Sequence, residues 1–124
     1  MPRALLIDDH PAIQQALAEV LESHGYQVES HPSVDEAAHR FSIPHLILMK
    51  VAAGDTEGPR FAEWARRKSG RQQPFILGLG PSDVLRSPKA AMLWNDVALW
   101  EEGANVIHSK ISAATLWLKK NHPA

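Results

Sequence analysis

The sequence contains no cysteine, which excludes disulfide bonds, thiolate zinc sites and cysteine nucleophiles. It also lacks an excess of either charge, because thirteen Lys and Arg residues stand against fourteen Asp and Glu residues. This balance argues against a domain that coats nucleic acid or an anionic membrane. No apolar run approaches the roughly 18 residues that span a bilayer, and the amino terminus shows no apolar signal-peptide core. A cytoplasmic protein is therefore the default expectation.

The order of apolar segments predicts one α/β domain over residues 1–124. Short apolar runs predict five strands at residues 4–7, 26–29, 46–51, 75–79 and 106–107. Segments with apolar residues at helical spacing alternate with these runs and predict five helices. Such alternation indicates a doubly wound, five-stranded parallel sheet with helices on both faces. The functional crevice of such a sheet lies beyond the carboxyl ends of its strands.

In the second half of the chain, apolar residues at spacing i, i+3, i+4 and i+7 predict a fourth helix. These residues are Ala90, Leu93, Trp94 and Val97. Gly103 is expected to end that helix. A last helix is expected to begin after Ser112, which can cap it, and to reach about Asn121.

Charged residues follow three of the predicted strands. Asp8 and Asp9 come directly after the first strand and form either a cation site or a solvated turn. Lys50 ends an apolar run, so its ammonium should either find a carboxylate or extend to water. Lys110 follows the predicted fifth strand. If the sheet forms as predicted, these two lysines and two aspartates converge at one edge.

Several motifs occur in the order found in a known family. They are LLIDDHP at residues 5–11, LILMK at 46–50, PFIL at 74–77 and the segment from Gly103 to Lys110. On these motifs the chain resembles the receiver domain of two-component response regulators over essentially its whole length. The resemblance implies a flavodoxin-like (βα)5 fold. It also implies an Mg²⁺ site at the acidic pair, matching Asp8 and Asp9, and a phosphoryl-contacting lysine after the fifth strand, matching Lys110.

The sequence departs from this family at four positions of the phosphorylation site. Lys50 stands where receivers carry the phospho-accepting aspartate, and Leu79 stands where they carry a Ser or Thr. The switching aromatic falls on Ile107, and Ile111 replaces the usual cis proline. Together these losses indicate that phosphoryl switching has been abandoned. We expect Lys50 to pair with Asp8 or Asp9 in a locked pocket, with no bound metal or cofactor.

The resemblance also places the interaction surface. The segment between Leu79 and Lys110 is longer than the family needs, which predicts a lengthened region between the fourth and fifth strands. In receivers, the fourth helix, fifth strand and fifth helix form the usual dimer or partner face. The candidate residues on that face are Leu93, Trp94, Trp100, Ile107 and Trp117. The tryptophans are either exposed binding anchors or core side chains.

A basic cluster follows in and after the third helix, at Arg60, Arg66, Arg67, Lys68 and Arg71. It either binds a small anion or forms a solvated helix face. The seven histidines show no metal-ligand spacing, and no nucleophile–base pair indicates an enzyme.

These observations support two hypotheses of different classes. The first is a degenerate receiver, or pseudo-receiver, that regulates transcription or another output without phosphorylation, by homodimerising or docking a protein partner. It would touch neither nucleic acid nor membrane. The second is a ligand-sensing pseudo-receiver that binds a small anion in the altered pocket or the basic cluster. In either case the chain is expected to stand alone or to be the amino-terminal domain of a longer regulator.

Overall fold

The computed structural model describes residues 1–52, 54–86, 92–99 and 102–121. Five strands alternate with five helices along the chain. The strands are β1 (Arg3–Ile7), β2 (Gln27–His31), β3 (Leu46–Lys50), β4 (Phe75–Gly80) and β5 (Asp96–Leu99). The helices are α1 (Pro11–Ser23), α2 (Val34–His39), α3 (Glu57–Ser69), α4 (Ser82–Leu85) and α5 (Ala104–Asn121).

All five strands form one parallel sheet in the order β2-β1-β3-β4-β5. Ile7 pairs with Met49, and Lys50 pairs with Leu79, so β1, β3 and β4 end at the same edge of the sheet. The predicted doubly wound α/β fold is confirmed. Because the strands are parallel, whatever follows β1 and β3 must meet at that edge.

Residues at the ends of the first three helices explain where α1, α2 and α3 begin or end. Ser33 caps α2, since its Oγ accepts a hydrogen bond from the Glu36 amide at 3.2 Å. Pro11 occupies the first turn of α1. Gly25 follows α1 with φ 91°, and Gly70 follows α3 with φ 59°, where a side chain would be strained.

Each face of the sheet buries its own apolar core, because strand side chains alternate between faces. Leu6, Leu48 and Leu77 point to the face covered by α1 and α5. Ile47 and Ile76 point to the face covered by α2, α3 and α4. The sheet is therefore covered on both sides, as its continuous apolar strands predict.

The predicted position of the fifth strand is wrong. β5 spans Asp96–Leu99, and residues 106–107 lie inside α5. The helical repeat of α5 explains this, because Ile111, Ala114 and Leu118 are buried and Ile107 is partly buried at matching spacing. These buried positions begin before Ser112, the residue expected to cap the last helix, so that predicted helix start is wrong.

The fourth helix is also shorter than predicted. α4 covers four residues, Ser82–Leu85, while Trp94 precedes β5 and Val97 lies within it. Ala90 lies outside the described residues. Because β5 begins at Asp96, the predicted lengthening between β4 and β5 is wrong: it depended on placing the fifth strand too late in the chain.

None of the helices in the described parts of the chain combines the length and apolar character that a transmembrane segment requires.

Candidate functional site

A cleft of about 310 Å³ lies at the carboxyl ends of β1 and β3. Its walls also include the segments that follow β2 and β3. The lining residues are Ile7, Asp8, Asp9, Pro32, Ser33, Val34, Lys50, Ala52, Asp55 and Glu57. The cleft stands where the topology of a doubly wound sheet places ligand sites.

Asp8 is buried at the base of the cleft, with 2% of its surface exposed. Its Oδ1 accepts a hydrogen bond from the His10 amide at 2.8 Å, and the Gln14 amide group donates to its carbonyl at 3.1 Å. Its Oδ2 is buried without a hydrogen-bond partner among the described residues. Asp8 therefore organises the turn into α1 and keeps one carboxylate oxygen unsatisfied.

The Lys50 ammonium lies beside both carboxylates. Its Nζ is 3.0 Å from Asp9 Oδ1 and 4.0 Å from Asp8 Oδ1. The Asp9 side chain is largely exposed, whereas that of Lys50 is about one quarter exposed. The hydrogen bond from Lys50, followed by its positive charge, lowers the pKa of Asp9 below the usual 3.8.

The residues present do not fit a divalent cation of the kind that receivers bind. The unsatisfied Asp8 Oδ2 is the one feature that favours a cation. Against it, the Lys50 ammonium sits beside the same two carboxylates, where its charge repels a metal ion. In the described part of the chain, no group of three or more His, Asp or Glu residues is arranged to hold a metal.

Leu79 is the next-to-last residue of the neighbouring strand, β4, and its side chain is apolar. It is fully buried and packs in the core beneath α1 and α5. Its carbonyl accepts a hydrogen bond from the Val51 amide at 2.8 Å. At the next residue, Gly80, a Cβ would collide with the Val51 carbonyl oxygen. The carboxyl end of β4 is thus closely packed and offers no hydroxyl to the cleft.

Two residues assigned to this site lie elsewhere. Lys110 is on α5, and its Nζ pairs with Asp96 Oδ1 at 2.9 Å at the start of β5. Ile107 is also on α5, where it packs against the core instead of serving as the switch position of β5. Both assignments are wrong because they rest on the misplaced fifth strand. In the sequence, no lysine or arginine occurs between Leu99 and Lys110.

The candidate interaction residues do not form one exposed patch. Trp94 is 7% exposed and belongs to the core on the α2 and α3 side, together with partly buried Leu93. Ile107 and Trp117 pack on the opposite face of the sheet. Trp100 lies outside the described residues. For Trp94 the alternative of a core side chain is therefore correct, since its indole fits over the glycine at position 78.

The basic cluster does not converge on one point. The Arg66 guanidinium donates to the Leu93 carbonyl at 2.7 and 3.1 Å and to Asn95 Oδ1 at 2.8 Å. Arg67 pairs with Glu63 within α3 at 3.1 Å. The other members, Arg60, Lys68 and Arg71, lie at the surface, with Lys68 Nζ 5.8 Å from the Trp64 ring. Arg66 therefore serves the fold, and no shared anion pocket is built around it.

Three polar residues of the cleft were not predicted from the sequence: Ser33, Asp55 and Glu57. Asp55 also starts α3, since its Oδ1 accepts hydrogen bonds from the Glu57 and Gly58 amides at 2.9 and 3.1 Å. All three lie in the segments after β2 and β3. The rule that such segments border the crevice would have identified them.

No family model and no curated protein matches this chain. Solved structures do match it. They include an adenylate cyclase from Rhodopirellula baltica (21% identity, TM-score 0.77, 95% of this chain and 90% of that one). A response regulator from Thermotoga maritima in complex with Mg²⁺ and beryllofluoride shares 22% identity, with TM-score 0.77 over 92% and 99% of the two chains.

A CheY-like receiver domain from Methylobacillus flagellatus shares 17% identity, with TM-score 0.78 over 92% of this chain and 98% of the other. At such identities the agreement concerns the course of the backbone. It covers nearly the full length of both chains, and it includes all five strands in the order already described. The chain therefore has the flavodoxin-like fold of CheY-like response-regulator receiver domains.

Proposed function

We propose that this chain is a degenerate receiver that works as a signalling and protein-interaction module without being phosphorylated. The observation that carries the proposal is the Lys50 ammonium, 3.0 Å from Asp9 Oδ1 at the carboxyl end of β3. The receiver fold and the matching motifs make position 50 the counterpart of the phospho-acceptor. A cytoplasmic role in two-component signalling or transcription regulation is part of this proposal.

The chemistry of Lys50 supports the loss of phosphorylation. An acyl phosphate requires a carboxylate oxygen as the nucleophile, and a protonated ammonium has no free electron pair with which to attack phosphorus. At an effective dielectric near 20, unit charges 4 Å apart attract by about 4 kcal/mol before desolvation. Because the Asp9 side chain is largely exposed, water screens much of this attraction, so the pair neutralises charge in the cleft without adding large stability.

A titration with Mg²⁺ and beryllofluoride, followed by amide NMR, tests the proposal. The natural chain should show no saturable shifts at the amides of Asp8, Asp9 and Lys50. The variant Lys50→Asp is the matched comparison, because it replaces the competing ammonium with a third carboxylate. Mg²⁺ should then produce saturable shifts at the same amides. Saturable shifts in the natural chain would contradict the loss of the switch.

The interaction itself is proposed for the side of the molecule formed by β5 and α5, with a second copy or a partner protein as the occupant. Of the predicted anchors on that side, Ile107 and Trp117 are partly buried against the core. Leu116 on α5 is 67% exposed and is the large apolar side chain that the helix presents to solvent. An exposed leucine of this kind fits a docking role better than the buried Trp94.

The alternative of a sensor for a small anion has weaker support. The cleft is lined by four carboxylates, those of Asp8, Asp9, Asp55 and Glu57, and by one ammonium. This excess of negative charge repels an anionic ligand. Arg66, the most engaged member of the basic cluster, is already committed to the fold. We therefore favour the interaction module.

A further inference from the structure

Two histidines, one directly after α1 and one within α5, meet on the side of the sheet covered by these helices. His24 is the first residue after α1, and His108 lies near the start of α5. His24 Nε2 and His108 Nδ1 are 3.4 Å apart, and the ring centroids are 5.6 Å apart at an interplanar angle of 46°. The two residues are 84 positions apart in the sequence, so only the fold brings them together.

The distance between the two ring nitrogens suits a shared metal ion. Two imidazole nitrogens, each about 2.0–2.1 Å from a tetrahedral Zn²⁺, lie about 3.3–3.4 Å from each other. For a direct N–H···N hydrogen bond the same distance is long. The rings are tilted by 46°, so binding requires each ring to rotate until both lone pairs point at the ion.

The surroundings of the pair favour a cation. His24 follows the carboxyl end of α1, where the helix carbonyls carry partial negative charge and the last turn contains no basic residue. His108 is exposed, which gives an ion access from solvent. Imidazole is a preferred ligand of Zn²⁺, Ni²⁺ and Cu²⁺.

We propose that His24 and His108 form a two-histidine site for one divalent transition-metal ion per chain, with water completing the coordination. Within the described residues no group of three or more acidic or histidine ligands exists, which is why water must supply the remaining positions. Such an ion cross-links α1 to α5. Because it binds the folded chain only, it stabilises the fold by mass action and strengthens the docking of α5, which its buried apolar residues already hold on the sheet.

Calorimetric titration with Zn²⁺, using a chain without an affinity tag, tests the site. We expect saturable binding of one ion per chain, a rise in melting temperature with added Zn²⁺, and selective shifts of the His24 and His108 ring signals in NMR. The variants His108→Ala and His24→Asn should each weaken binding by more than about tenfold. His39→Ala, which removes an exposed histidine of α2, should leave binding unchanged.

Several results would overturn the site. One is the absence of saturable binding at millimolar Zn²⁺. Another is binding that both variants retain, because it would belong to other histidines. Half an ion per chain in a dimer would show that a second copy, and not water, completes the coordination. Circular dichroism of each variant establishes that it is folded, so that lost binding reports the missing imidazole.

Discussion

At the scale of single residues, burial divides the work of the two neighbouring aspartates. Asp8 is buried, and its amide donates to the His31 carbonyl at 3.1 Å while its Oδ1 accepts from the His10 amide at 2.8 Å. Asp9 is exposed and forms the close contact with Lys50. The same dipeptide thus contributes one carboxylate to the backbone turn and another to the ion pair that lines the cleft.

The lowered pKa of Asp9 predicts a pH dependence of stability. In the folded chain Asp9 stays ionised to lower pH than in the unfolded chain, so its contribution is present above about pH 4 and is lost as pH falls through the folded value. We expect Asp9→Asn to lower the free energy of unfolding slightly at pH 6, by less than about 1 kcal/mol, because the pair is exposed. Urea unfolding of both proteins across pH 2–7 measures this difference.

The difference between the two proteins should shrink toward zero at the acid end of that range. Carboxyl NMR of the natural chain provides the direct check, since Asp9 should titrate below its usual pKa. A stability difference that stays constant down to the lowest pH would show that the ion pair with Lys50 does not contribute. High salt should also reduce the difference.

At the scale of elements, Arg66 joins α3 to the segment that precedes β5. The Arg66 side chain donates to the Leu93 carbonyl and to Asn95 Oδ1, just before β5. Asn95 in turn forms two hydrogen bonds with Ile76 of β4. Asn95 Oδ1 accepts from the Ile76 amide at 2.7 Å, and the Asn95 amide donates to the Ile76 carbonyl at 2.8 Å. This network holds the segment in which Trp94 enters the core.

Removing the hydrogen bonds of Arg66 should destabilise the fold. Arg66→Ala removes the guanidinium donor of the Leu93 carbonyl and one of the two donors to Asn95 Oδ1, and we expect a loss of about 1–3 kcal/mol in the free energy of unfolding. Arg67→Ala is the matched control, because the Arg67 side chain is exposed and pairs with Glu63 on the same helix; it should change stability by less than about 0.5 kcal/mol. Chemical denaturation of the three proteins compares them.

Arg66→Lys adds a second comparison. A single ammonium cannot reproduce the forked contacts of the guanidinium, so this variant should regain only part of the lost stability. Equal stability of the Arg66 and Arg67 variants would contradict a bracing role for Arg66. It would also reopen the possibility that the basic cluster is free to bind an anion.

At the scale of the whole molecule, the helices that cover both faces of the sheet separate core from surface. Trp94 is buried above Gly78, where a Cβ would lie 3.1 Å from the indole Cδ2. Leu116, on the outer side of α5, is largely exposed. The side chain with the larger apolar area is therefore internal, and the smaller one remains available to a partner.

The exposure of Leu116 and the burial of Trp94 predict that substitutions at these two positions affect different properties, association in one case and stability in the other. Leu116→Glu should weaken self-association or partner docking and leave the free energy of unfolding nearly unchanged. Trp94→Ala should cost about 3–5 kcal/mol of stability, because it opens a cavity in the core. Sedimentation of the natural chain and the Leu116 variant, together with urea unfolding of both variants, measures the two effects.

Met92→Ala serves as the exposed control for the segment before β5, since Met92 is 87% exposed. It should alter neither stability nor association. If Leu116→Glu associates exactly as the natural chain does, the docking surface lies elsewhere on the molecule. If Trp94→Ala is as stable as the natural chain, Trp94 does not fill the core.

The sequence by itself determined most of the architecture. Continuous apolar runs predicted β1, β3 and β4, and local residues such as Ser33, Gly25 and Gly70 account for where the first helices begin and end. The approach of Lys50 to Asp8 and Asp9 was also predictable, because parallel strands bring their carboxyl ends to one edge. These features depend on short-range pattern plus one topological rule.

Only the tertiary structure decided the position of β5 and everything that depends on it. Over a short window, the apolar residues before β5 fit a helix as well as a strand, and the choice is made by the packing of Trp94 over Gly78 and by the network of Arg66. Lys110 then pairs with Asp96 and not with the cleft. The meeting of His24 with His108 is likewise invisible in the sequence, since no local pattern encodes which helices pack side by side.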